Sequence, residues 1–205
     1  MSPRRKSDRT NQQRRTRKDL LAAAARLIKS GRRPTIEEVA GDAMVSRATA
    51  YRYFPSIEAL LVEAPLDIAM PDAEAFFADD RSSDVEARLD RADAALHDQI
   101  YANEAALRVM LANALTQPRS SGDAALPVRQ NRRLPLIEAA LAPARGRLTK
   151  EAHRRLCAAL CLIIGTESMI VFRDVLPLER ERARQVKSWA LRALTRAAIQ
   201  ESRKG

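Results

Sequence analysis

Glycine, cysteine and aromatic residues are all scarce in this chain, which has six glycines, two cysteines and 4% aromatics among 205 residues. Such a composition, rich instead in Ala, Leu, Arg and Glu, favours helices over strands. No segment alternates β-branched residues with a period of two, so no strand is predicted. Both cysteines, Cys157 and Cys161, fall in one predicted helix, which argues against a disulfide-stapled secreted fold. The N-terminus carries arginines but no apolar segment of the kind a signal peptide needs. The longest apolar run, Leu156 to Gly165, is about half of the roughly 20 residues that span a bilayer. It reads as a buried core helix. The expectation is an all-α, soluble, cytoplasmic protein with no membrane partner.

What is abundant is positive charge. The net charge of +10 and the pI near 10.4 put polyanions among the expected partners. Residues 1–64 hold 14 Lys/Arg against 7 Asp/Glu, a net of +7, so the excess is concentrated at the N-terminal end. A charge tail of this kind more often serves solubility; it gains meaning only beside a binding motif.

Residues 1–16 are polar and charged, and are expected to form a disordered basic arm. Leu20, Leu21, Ala24, Leu27 and Ile28 then recur at helical spacing, predicting a helix from about Arg17 to Ser30, ended by Gly31 with Pro34 beyond. Thr35-Ile36-Glu37-Glu38 is a capping box that opens a second helix. A turn at Ala43-Met44-Val45 leads to Ser46, the cap of a third, and Pro55-Ser56 breaks that helix and caps a fourth from Ile57 to about Glu63. These helices are too short to stand alone and must pack together. Downstream, a box at Ser83-Asp84-Val85-Glu86 predicts a helix to about Tyr101, and Asn103 caps another to about Leu115. A loop at 116–125, a helix over Pro127–Leu141 and a turn at Ala142–Gly146 follow. Thr149 caps a long helix to about Val175, and a last helix covers Glu179–Glu201. The expected domains are the arm 1–16, a helical head 17–64 and a larger helical body 65–205, with helix four joining head to body.

The third helix carries the functional signal. Its apolar residues go to one side and its hydroxyl, guanidinium and phenol groups to the other, as suits a helix with one face in a small core and one in a nucleic-acid groove. Ser46 leaves free N–H groups at a positive helix end, suited to a phosphate. Arg47 and Ala48 sit at the entering tip, and Arg47 and Arg52 are the expected base readers, arginine being the usual partner of guanine O6 and N7. Thr49, Tyr51 and Tyr53 can donate hydroxyl hydrogen bonds to phosphates, which fix register. Tyr51 and Tyr53 stand two apart and cannot share a face, so one of them can instead pack inside. Phe54 belongs to the core.

Taken as an ordered set, residues 17–64 resemble the DNA-binding domain of TetR-family transcriptional regulators. The resemblance rests on Leu20-Leu21-x-Ala23-Ala24, Thr35-Ile36-x-x-Val39-Ala40, Val45-Ser46-x-x-Thr49-x-Tyr51-Arg52-Tyr53-Phe54 and Glu58-x-Leu60-Leu61. It implies a three-helix helix-turn-helix head, phosphate contacts at Thr49, Tyr51 and Tyr53, and a helical body that binds a small molecule and forms the dimer interface. Three departures stand out. Met44 occupies a turn position where glycine is common, which predicts a strained turn. Ile57 replaces a common phosphate-binding lysine. The Gly31–Pro34 loop is shorter than usual. The basic arm is expected to compensate with phosphate or minor-groove contacts.

In the body, Val186, Trp189, Ala190, Ala193, Leu194 and Ala197 form one apolar stripe on the last helix. Intramolecular packing would explain it; the resemblance, and the need for two half-sites, favour a homodimer interface. Glu167 has two readings, as a ligand-orienting carboxylate or as the partner of an arginine such as Arg133. His97, Tyr101, Met110 and Asn113 are further candidates for an effector pocket. His153, Cys157 and Cys161 share a helix face, yet these few Cys/His groups fall short of a metal signature, and no metal or cofactor is expected. No nucleophile motif accompanies Glu167 and His97, so an enzyme is not expected. The functional expectation is a homodimeric transcriptional repressor on a palindromic double-stranded DNA operator, released by a small molecule. The alternative is a ligand-independent architectural or co-regulatory DNA-binding dimer.

Overall fold

The computed structural model describes residues 3–30, 33–68, 71–116 and 131–203, and all regular structure among them is helical. The expected stop at Gly31, the loop over 117–125 and the helix start at Pro127 lie outside the described residues. Two compact units emerge, one of residues 1–69 and 105–130, the other of 70–104 and 131–205.

The first unit begins with α1 (Pro3–Lys29), α2 (Ile36–Asp42), α3 (Arg47–Tyr53) and α4 (Ile57–Ile68). Here α1 departs from expectation: residues 3–16 continue the helix instead of forming a disordered arm. Pro3 stands in the first turn, where its missing N–H would have no intrahelical acceptor, and no further proline or glycine interrupts the run to Lys29. Once the packed half of a helix is nucleated, extending it gains one hydrogen bond per residue fixed. Leu20, Leu21 and Ala24 of α1, Ile36 and Val39 of α2, Ala50 and Phe54 around α3, and Leu60 and Ala64 of α4 build one core. Ile57, in place of a lysine, packs half-buried against it. From residue 105 onward α7 (Glu104–Thr116) also falls in this unit.

The second unit holds α5 (Ala73–Phe77), α6 (Val85–Ala102), α8 (Arg133–Ala140), a 3-10 turn at Ala142–Arg147, α9 (Lys150–Ile163), α10 (Thr166–Ile170), a π turn at Val171–Val175 and α11 (Arg180–Ser202). Asp84, one residue past the expected Ser83, caps α6 by accepting from the N–H groups of Glu86 and Ala87. Thr149 caps α9 as its sequence predicts. Asn103 closes the end of α6, its amide donating to the Gln99 carbonyl. Buried Arg88 on α6 donates to the carbonyls of Ala139 and Ala140 at the end of α8, where acceptors outnumber intrahelical donors.

The predicted helix from Thr149 to Val175 breaks at Ile164–Gly165. By length and composition Lys150–Val175 is apolar enough to cross a membrane, but Leu156, Cys157, Leu160, Ile164 and Met169 are buried in this unit. Arg133 stabilises the break. Its guanidinium donates to the carbonyls of Cys161 and Ile164 and holds Glu167 through two hydrogen bonds, at 2.9 and 3.3 Å. A Cβ on Gly165 would come within 1.8 Å of the Arg133 guanidinium, so glycine is what lets the arginine approach. Glu167 is thus ion-paired with Arg133, as one of its two readings foresees.

Candidate nucleic-acid interface

The helix-turn-helix is set by three local devices. The capping box at the start of α2 is complete: the Glu38 backbone N–H donates to the Thr35 hydroxyl, and the Thr35 backbone N–H donates to the Glu38 carboxylate. At its end, Val45 N–H donates to the Ala40 carbonyl and Met44 N–H to Gly41, the two bonds of a Schellman ending. That ending needs a left-handed residue, and Met44 supplies it at φ 53°, as the sequence departure predicts. Ser46 then caps α3, its hydroxyl accepting from Thr49 N–H at 3.1 Å and lying 2.8 Å from the Thr49 hydroxyl. Since Met44 is 92% exposed and its side chain packs on nothing, Met44→Gly is expected to raise the stability of the head. A gain of up to about 1 kcal/mol, read by urea unfolding, would follow from relief of the strained backbone.

The faces of α3 separate cleanly. Ala50, Tyr53 and Phe54 are buried; Ser46, Arg47, Ala48, Tyr51 and Arg52 are exposed, and Thr49 is half-buried. Tyr53, at 7% exposure, packs its ring in the head core and is the one of the two tyrosines that turns inward. Arg47 ion-pairs with Glu37 of α2 at 2.8 Å and lies over the Tyr51 ring, with its guanidinium carbon 5.5 Å from the centroid. Tyr51 and Glu37 both raise its pKa and so hold its charge. Arg52 lies over the Tyr53 ring at 5.4 Å. The exposed face therefore presents two guanidinium groups and a phenol.

Arg17, the first residue of the helix that the sequence predicts, has a structural place. Its guanidinium donates to the Tyr53 carbonyl at the end of α3 at 3.0 Å and to Glu63 of α4 at 2.6 Å, and stacks 4.3 Å from the Phe54 ring centroid. It is the tie that fixes α3 to α1 and α4. The signal is present in the chain: Arg17 continues the Leu20, Leu21, Ala24 face of α1, and Glu63 continues the Leu60, Ala64 face of α4.

In the body, His97 and Tyr101 border one narrow gap with Gly165, Met169, Phe172 and buried Lys187. Met110 and Asn113 lie on α7, in the other unit, so no single unit brings all four candidates together. Burial, helped by Lys187 and Arg180, pushes the His97 pKa from 6.5 down to about 4. The unfolded chain then binds more protons than the folded one between these values. Stability that is full above pH 6.5 is lost as the pH falls toward 4, by on the order of 3 kcal/mol from this group. Urea melts at pH 7 and pH 4 should show that share of the acid loss disappearing in His97→Phe.

Much of the stripe foreseen on α11 is left exposed among the described residues. Ala183, Lys187, Leu191, Thr195 and Ala198 point into the unit, whereas Trp189 is 71% and Leu194 36% exposed. Ala193 and Ala197 are exposed as well, and Val186 is half-buried.

Residues 20–64 match the family model described as bacterial regulatory proteins, tetR family. The helical order, the caps and the core of the head all lie within that span, so the match supports a DNA-binding head similar to that of TetR-family transcriptional regulators. Neither the curated proteins nor the solved structures compared with the chain gives a match.

Proposed function

We propose that this chain is a TetR-family transcriptional regulator, a cytoplasmic homodimeric repressor that binds a palindromic operator and is released by a small molecule. The observation that carries the dimer is the uncovered apolar face of α11. An exposed Trp189 flanked by Ala193, Leu194 and Ala197, with Leu162 of α9 76% exposed, is the composition of an interface core and not of a solvated helix. A groove of about 570 Å³ between α6 and α11 runs beside the same tryptophan. Two heads docked about one DNA turn apart, roughly 34 Å, would each insert α3 in a major groove.

Within each head, Arg47 and Arg52 read bases, while Ser46, Thr49 and Tyr51 position the helix with Ala48 at the tip against the groove. The basic N-terminal stretch of α1 adds charge for the backbone. A ligand in the body that changes the separation of the heads would disrupt simultaneous docking; Pro65, inside α4 and lacking an N–H to donate, supports a bend there.

Binding of operator variants by the purified protein tests this sorting. Arg47→Ala should lower discrimination at one base pair by about fivefold or more, since a bidentate contact is lost. Tyr51→Phe should weaken all sequences alike. Sequence-selective loss from Tyr51→Phe and uniform loss from Arg47→Ala would overturn it. The closed gap at His97 favours a second reading, a dimer that needs no ligand, and the two readings part on whether any small molecule weakens operator binding.

A further inference from the structure

In the second unit, two buried polar groups without hydrogen-bond partners belong to neighbouring side chains that line one gap. His97 is 2% exposed, and its Nε2 finds no hydrogen-bond partner among the described residues. The buried Tyr101 hydroxyl, one turn along α6, also finds none. The two rings lie 4.4 Å apart, centroid to centroid, and border the same gap, which Ile100, Met169 and Phe172 line with apolar atoms. Ser168, also at the gap, already donates its hydroxyl to the Gly165 carbonyl. The gap is closed to a water-sized molecule, so solvent cannot satisfy the pair, and buried donors and acceptors left unpaired are costly. Opposite the two rings, the wall is the irregular stretch after the Gly165 break, ending in the π turn that carries Phe172. Irregularities of this kind gather at functional sites.

Charge around the gap is balanced. Lys187 is held by Asp93, Arg180 by Asp98, Arg173 by Glu104 and Arg184 by Glu181. His97 itself is neutral near pH 7, its pKa depressed by burial first and by Lys187 second. An ionised ligand would enter with no unpaired counter-charge to meet it. A hydroxyl both donates and accepts, and so suits the imidazole in either tautomer and the phenol beside it.

We propose that this gap, once opened, is the effector site, and that it takes a small neutral molecule with an apolar ring-sized body and one hydroxyl that bridges His97 Nε2 and Tyr101 Oη. The proposal rests on the reading of the body as a ligand-responsive domain. Phenol is the probe, with toluene, benzoate and benzylammonium as controls, tested on the full chain by equilibrium dialysis and thermal shift. Phenol should bind about tenfold or more tightly than toluene, because a site built for a hydroxyl rejects the analogue that lacks it. The two ions should bind more weakly than phenol. His97→Phe and Tyr101→Phe, each checked for a cooperative melt, should lose the preference for phenol over toluene. No binding of phenol, equal binding of toluene or an ion, or an unchanged preference in both variants would overturn the site. If phenol binds as expected but operator DNA is not released, the site stands and the release reading fails. Release by other compounds without phenol binding would leave the release reading standing and overturn the site.

Discussion

Replacing Arg17 with alanine is expected to unfold the head, at a cost of roughly 3–5 kcal/mol, and to abolish DNA binding with it. The side chains of Arg17 and Glu63 are only 12% and 7% exposed, so the substitution leaves a buried carboxylate without this cation. It also removes the donor to the Tyr53 carbonyl, at a helix end where carbonyls lack intrahelical partners, and the stacking on Phe54. Domains are stable by about 5–15 kcal/mol in total, so a loss of this size takes a large share of the margin. Arg17→Lys should not rescue it, because an ammonium cannot bridge a carbonyl, a carboxylate and a ring face at once. The double variant Arg17→Met with Glu63→Leu separates stability from function. Replacing both charges by apolar groups removes the desolvation problem and should restore most of the melting temperature. DNA affinity should remain low, since α3 loses its tether at Tyr53. Circular dichroism melts and fluorescence anisotropy on DNA read the two effects separately.

The second large effect is expected in the body. Lys187 of α11 and Asp93 of α6 form an ion pair at 2.6 Å with side chains 2% and 3% exposed. Lys187→Met should destabilise the second unit by roughly 3–5 kcal/mol, because Asp93 is left buried and unpaired. The loss should shrink as the pH falls. Burial already raises the Asp93 pKa despite the pull of Lys187, and removing the lysine raises it further. A carboxyl whose folded pKa lies above its unfolded value contributes most at low pH, and that contribution is lost as the pH rises through the folded value. Asp93→Leu added to Lys187→Met should recover the lost stability at neutral pH. Urea unfolding across pH, on the single and double variants, checks both sign and size.

Arg17 and Lys187 also mark where the sequence is hard to read. The devices around α2 and α3 are local: Thr35 with Glu38, Met44 at the left-handed turn, Ser46 with Thr49. Each needs only three or four neighbouring residues, so spacing alone reveals it. The match over residues 20–64 covers this same legible region. Arg17 and Glu63 stand 46 positions apart, and Arg133 and Glu167 stand 34 apart, so their pairing depends on how helices pack. An arginine at the start of an apolar face reads only as one more basic residue, because charge counts carry no direction. The same limit applies to α11, where one helix has two apolar faces. The face made by Val186, Trp189, Ala193, Leu194 and Ala197 stands out by size, yet the chain buries the smaller one around Lys187 and leaves the larger outward. Composition points to disorder over residues 3–16, although arginine, lysine and glutamine are good helix formers once a packed helix adjoins them.

The proposed function requires a pair of α3 helices to read a two-fold symmetric DNA sequence. Selection of bound sequences from a random double-stranded DNA pool by the purified protein tests it most directly. The expected result is a palindromic consensus with half-sites centred about one helical turn apart, and loss of its most selective positions with Arg47→Ala. Recovered sequences with no enrichment over bulk DNA, or a single asymmetric site unchanged by that substitution, would contradict it.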